Sequence, residues 1–133
     1  MKKDIDHPAV EDVAVAVILE EVDGENVWNV YLLNLKDVPI KNVLIVSKGY
    51  GEIEGEHRQT STLRFFFDEI PAQEYGKIEP IMDFTFGLSN EYWVSFYIDE
   101  VIYDKRYIFL PETINEKNFT KIPLIEVEGV MIR

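Results

Sequence analysis

NVWNVYLLNLKDVPIKNVLIVSKGYG, residues 26–51, is the stretch that decides the fold. Two runs rich in β-branched and aromatic side chains, residues 27–33 and 43–46, flank a polar break at residues 34–39. Such side chains suit a pleated, half-buried surface, and the proline of Lys36-Asp37-Val38-Pro39 has no N–H to give a ladder. The spacing therefore predicts two consecutive strands at the centre of a β-sandwich. Within the first, Trp28, Val30 and Leu32 share one face and Asn29 takes the other, so the Trp28 face is expected to point inward. Gly49 and Gly51 on either side of Tyr50 predict a bulge or sharp bend there.

Working outward, residues 12–22 alternate: Val13, Val15, Val17 and Leu19 on one side, Ala14, Ala16, Ile18 and Glu20 on the other. Asp23-Gly24 then predicts a tight hairpin back onto residues 27–33. Downstream, residues 52–59 are polar and read as an exposed loop or short edge strand. In residues 61–68, Leu63, Phe65 and Phe67 oppose Thr62, Arg64, Phe66 and Asp68. Ile70-Pro71-Ala72-Gln73 is a turn. Residues 75–86 form the next strand candidate, with Pro80 placing it at an edge or marking a bulge. Residues 87–90 turn into a pair of strands, 91–99 and 102–110, joined through Asp99-Glu100. A two-residue loop there sets Trp93 opposite Arg106 and Phe96 opposite Tyr103. Thr113-Ile114-Asn115-Glu116 matches a capping box and predicts one helical turn over residues 114–119. Pro123 ends it, and residues 124–132 add a last strand.

Composition narrows the function classes. The chain has 133 residues, one domain's length, and a chain of that size buries roughly two-thirds of its unfolded surface without needing a staple. Residues 1–11 are expected to be a loose segment ahead of a single domain over residues 12–133. Acidic residues number 25 against 13 basic ones, for a formal net charge of −12. That field repels phosphate backbones and anionic lipid, so neither a nucleic-acid partner nor membrane attachment is expected. Cysteine is absent, which removes disulfides, thiolate metal sites and cysteine nucleophiles. The apolar run at residues 13–19 follows acids and ends in Glu20-Glu21, unlike a secretory leader, so the expected location is cytoplasmic.

The pattern, roughly seven to nine short strands with regular turn signals and no long helix, predicts an all-β fold, an antiparallel two-sheet sandwich of immunoglobulin type. Trp28-Asn29-Val30-Tyr31, Pro39-Ile40-Lys41-Asn42-Val43, Val46-Ser47-Lys48-Gly49-Tyr50-Gly51, Ile70-Pro71-Ala72-Gln73 and Tyr103-Asp104-Lys105 make the chain resemble a group of short bacterial immunoglobulin-like proteins. The resemblance covers most of the chain and rests on strands and turns, so it implies a fold rather than an activity. Some members are labelled phenylalanyl-tRNA synthetase alpha subunit. An enzyme of that kind must hold ATP and tRNA phosphates with placed arginines and a basic surface. Four scattered arginines (Arg58, Arg64, Arg106, Arg133) and a net charge of −12 do not meet that need.

Three constellations carry candidate chemistry. Glu52, Glu54 and Glu56 beside His57 alternate along an extended segment, where carboxylates can converge on a hard cation. Bare alternation lacks the Asp, Asn and Gly offsets of a calcium loop, and a solvated edge that blocks pairing accounts for the same residues. His57 and His7 both lie in polar stretches, whereas a Ser–His–Asp relay needs a buried, oriented imidazole. Asp99, Glu100 and Asp104 offer carboxylates for glycoside chemistry, but Asp99-Glu100 is also the hairpin tip. Neither a catalytic residue nor a metal or other cofactor is therefore assigned. The third constellation is Arg64, Phe66, Trp93, Tyr97 and Arg106, on the face opposite the core. Large aromatics with arginine are enriched at contact hot spots, since they bury much area at little entropic cost. A one-residue slip would instead turn Trp93 inward. The expected function is a non-catalytic binding module, with a protein partner or a second copy docking on this face. The alternatives are a carbohydrate- or small-ligand-binding sandwich on the same rings and an enzyme with an acidic site near Glu54, Glu56 and His57.

Overall fold

The computed structural model describes residues 8–133. Its strands are β1 (Val13–Val22), β2 (Glu25–Asn34), β3 (Ile40–Ile53), β4 (Glu56–Gln59), β5 (Leu63–Ile70), β6 (Glu74–Ile81), β7 (Ser89–Ile98), β8 (Val101–Phe109), β9 (Thr120–Lys121) and β10 (Glu128–Ile132). Two antiparallel five-stranded sheets result. One runs β6-β2-β1-β10-β9; in the other, β5 and β4 lie end to end along one side of β3, with β7 and then β8 on its other side. Pairing of β2 with β6 in one sheet, and of β3 with β7 and β7 with β8 in the other, is immunoglobulin-type connectivity. The predicted fold class holds, with ten strands, one more than the top of the expected range. Among the described residues no helix is long and apolar enough to cross a membrane.

The core follows from the alternation. Val13, Val15, Val17, Val30 and Leu32 of the first sheet meet Val43, Ile45, Val94, Phe96, Tyr107 and Phe109 of the second, with Trp28 packed at the margin. Burying each such side chain contributes about 1.5–3 kcal/mol. The other side of β1 is buried as well. Ala14, Ala16 and Ile18, with Leu33 of β2, form a second cluster under Ile122, Leu124 and Ile125 of the segment before β10. The outer face of the first sheet is thereby covered by the chain's own C-terminal region.

Turn chemistry places the strands as read. Val22 faces Glu25, and Asp23 and Gly24 both take positive φ (53° and 81°), the requirement of a two-residue hairpin whose twist matches its strands. Asp99-Glu100 closes β7 onto β8 with Ile98 facing Val101, and Trp93–Arg106 and Phe96–Tyr103 are register partners. The break at residues 35–39 carries the chain from one sheet to the other. Asn34, fully buried, holds it in place: its Nδ2 donates to the carbonyl oxygens of Val38, Ile70 and Pro71 at 2.9, 3.1 and 3.0 Å.

Three local expectations are corrected. At Gly49, Tyr50 and Gly51 the β3 ladder passes from β7 to β4 without a register shift, with Gly51 at φ 147°, and the shift falls between Lys41 and Leu44, where Asn42 has φ 50°. Residues 82–86 are not strand: β6 stops at Ile81 and a 3-10 helix (Asp83–Gly87) follows, with the Thr85 hydroxyl donating to the Met82 carbonyl. The late helical turn shrinks to a 3-10 helix at Glu116–Asn118. Asn115 caps it by accepting from the Lys117 amide, and Thr113 instead donates its hydroxyl to the Leu110 carbonyl. Of the segment expected to be loose, residues 1–7 lie outside the described residues, while Val10 packs against the core.

A candidate binding face

Arg64, Phe66, Trp93, Tyr97 and Arg106 come together on the outer face of the β5-β3-β7-β8 sheet. The ladder sets them in rows. Arg64 faces Val46, Val46 faces Trp93, and Trp93 faces Arg106; in the next row Phe66, Leu44, Ser95 and Asp104 align. Tyr97 faces Ile102 one step further on. Phe66 is 59% exposed, Trp93 40% and Tyr97 38%, with Leu44 and Ile102 also open to solvent. Leu44, Val46, Trp93, Ser95, Ile102 and Asp104 line a shallow trough of about 270 Å³.

Side-chain contacts fix the rings in place. The Arg106 guanidinium lies over the Trp93 ring, 4.4 Å from its centre, and the indole N–H donates to Asp104 Oδ2 at 3.4 Å. Arg106 Nε also reaches Glu91 Oε2 at 3.7 Å. Glu91 is buried although it belongs to the outer row, because the Tyr50 hydroxyl donates to its other oxygen at 3.0 Å. Burial and the Glu91 carboxylate push the Tyr50 phenol up. Lys41, Lys48, Arg64 and Arg106 stand among Asp68, Glu69, Glu91 and Asp104, so this face is close to neutral in a chain of net charge −12.

The acidic stretch forms a different structure. Glu52 faces His57 and Ile53 faces Glu56 across the β3–β4 hairpin, Glu54 sits in its turn, and Glu56 accepts from Arg58 at 3.2 Å. Among the described residues no group of three or more His, Asp or Glu is placed to hold a metal ion. Asp99 and Glu100 form the β7–β8 tip, and His7 lies outside the described residues.

One polar site was not legible as such. The β2–β6 register shifts between Val30 and Tyr31, where Ile78 is the extra residue, and this turns Glu79 inward beside Ile78. Its Oε2 accepts from the Tyr92 hydroxyl at 2.9 Å, and Ser47 hydrogen-bonds it as well. Burial raises the Glu79 carboxyl above its ordinary range, while the two hydrogen bonds oppose the shift. Burial beside that carboxylate pushes the Tyr92 phenol far up. Pro80 signalled an irregularity in β6, but only the three-dimensional register says which residue it turns inward. No protein-family model matches the chain, and no curated protein matches it either.

Proposed function

We propose that this protein is a non-catalytic binding module that pairs with a second copy of itself through the outer face of the β5-β3-β7-β8 sheet. The observation that carries this reading is an asymmetry between the two sheets. The first has its outer face covered by Ile122, Leu124 and Ile125, while the second leaves Leu44, Phe66, Trp93, Tyr97 and Ile102 in solvent. Charge favours a second copy as the occupant. Two chains of net charge −12 repel over most of their surfaces, and this near-neutral face is where they approach at least cost. It also carries arginines and carboxylates on one patch, the self-complementarity that a two-fold interface needs. The pinned Trp93 loses little freedom on docking, which favours affinity.

Light scattering from micromolar to submillimolar concentration tests it. The expected result is a concentration-dependent shift from 15.5 kDa toward twice that mass, with Phe66→Ala and Trp93→Ala each weakening association about tenfold or more. A 15.5 kDa species at every concentration, or a dimer indifferent to both substitutions, would overturn it. Sugar stacking on the same rings is less well supported, since Arg106 already covers one face of the Trp93 indole.

A further inference from the structure

A second concavity lies between the sheets rather than on them. β4 and β5 do not join, so the sandwich is open at residues 60–62, opposite the 3-10 helix that follows β6. The cleft there measures about 210 Å³, below the roughly 300–1,000 Å³ of drug-sized sites and thus suited to one small molecule. Its inner end is polar: Ser47, Asn90, Tyr92 and Glu79. Its outer walls are apolar, with Leu63, Met82 and Phe84 at the mouth, and Phe84 is 71% exposed. Beyond Thr60 and Phe84 a neighbouring depression continues toward Ile53 and Leu88.

Charge within the cleft is one-sided. Glu79 is the only acid among the lining residues and Lys48 the only base, and the Lys48 ammonium turns away over the Tyr50 ring, 5.7 Å from its centre. Asn90 and Thr60 are already engaged. The Asn90 amide donates to the Thr85 and Leu88 carbonyls, and the Thr60 hydroxyl accepts from the Gly49 amide. Glu79 accepts from Tyr92 and Ser47, and a carboxylate offers about four acceptor positions. Acceptor capacity therefore remains at the end of an apolar channel, in a chain whose overall field draws cations in.

We propose that this cleft binds a small primary amine with an apolar body, its ammonium on Glu79 and its hydrocarbon against Leu63, Met82 and Phe84. The site is separate from the exposed aromatic face and stands whether or not the chain dimerises. The probe is 2-phenylethylamine, with 2-phenylethanol as its neutral counterpart, followed by amide chemical shifts and thermal midpoint on the full chain. The amine is expected to move the Ser47, Gly49, Asn90 and Tyr92 amides and raise the midpoint by several degrees, the alcohol to do neither at equal concentration. Glu79→Gln should weaken amine binding at least tenfold, and Phe84→Ala, at an exposed position, should weaken it while leaving the fold intact. Equal responses to amine and alcohol, shifts elsewhere in the molecule, or no response would overturn the assignment. So would wild-type affinity in Glu79→Gln. If that variant fails to fold, the amine–alcohol contrast on the unaltered chain decides the matter.

Discussion

Trp93 and Arg106 face each other in the β7–β8 ladder, with the guanidinium 4.4 Å from the indole centre. Strand pairing brings the two together, and Asp104 and Glu91 hold their polar ends. The Arg106 side chain is more than half exposed, so the stacking stabilises the fold by only about 0.5–1 kcal/mol. Arg106→Ala should lower urea stability by that amount while weakening self-association more noticeably. Arg106→Lys, which keeps the charge but loses the planar stack, should restore association only in part. Equal dimerisation in all three proteins would show that the stacked pair has no part in it.

The Tyr107 hydroxyl donates to the Val13 carbonyl at 2.6 Å, joining β8 of one sheet to β1 of the other inside the core. Tyr107→Phe keeps the ring and removes only this bond. It should cost about 1–3 kcal/mol in denaturant unfolding, since a buried acceptor loses its partner, with the native circular dichroism retained.

Gly129 fits where nothing larger can. A Cβ there would stand 2.5 Å from the Val17 carbonyl oxygen, a backbone atom of the neighbouring strand that cannot swing aside. Gly129→Ala should force β10 away from β1 and destabilise by about 1–3 kcal/mol, read as a lowered thermal midpoint. A midpoint equal to that of the unaltered chain would mean the two strands yield freely.

Glu79 sets a pH dependence. Burial raises its folded-state carboxyl above the ordinary value of 4.5, so folding favours the protonated form. This contribution to stability is fully present below about pH 4.5 and is lost as pH rises through the raised folded value. Glu79→Gln should therefore gain on the unaltered chain in denaturant stability as pH climbs from about 4.5 toward neutrality. A difference between the two that stays flat over that interval would contradict the burial.

Alkali should act through buried phenols. Burial pushes Tyr107 and Tyr92 far up, and burial with the Glu20 hydrogen bond raises Tyr31 to about 12. Stability from these groups is present below the ordinary phenol value of 10 and is lost as pH rises through the folded values. Absorbance at the phenolate band should show part of the tyrosines ionising only together with unfolding. Ionisation of all of them before the fold opens would contradict it.

The fold was legible because its signals are local. Asp23-Gly24 and Asp99-Glu100 fix hairpin registers by loop length, and the period-two alternation of residues 13–19 and 91–99 assigns faces without reference to the rest of the chain. From these the positions of Trp93, Phe66 and Tyr97 on the outer face followed, as did the Trp93–Arg106 pairing. The misreadings sit where a local signal had a competitor. Thr113 and Glu116 match a capping box, yet Asn115 offers a side-chain oxygen closer to the free amides and takes the cap. Gly49 and Gly51 look like a bulge, but β3 is handed from β7 to β4 there without a register shift, and the shift falls beside Asn42.

The sequence by itself determined that alternating, turn-punctuated segments must close as two packed layers, because period two leaves each strand one apolar side to bury. Which outer faces stay bare was decided only in three dimensions. Ile122, Leu124 and Ile125 lie about a hundred residues from Ala14 and Ala16, and no local pattern says that they cover that sheet and not the one bearing Trp93. The inward turn of Glu79 is of the same kind, since a one-residue bulge reverses a side chain's face without changing the composition around it.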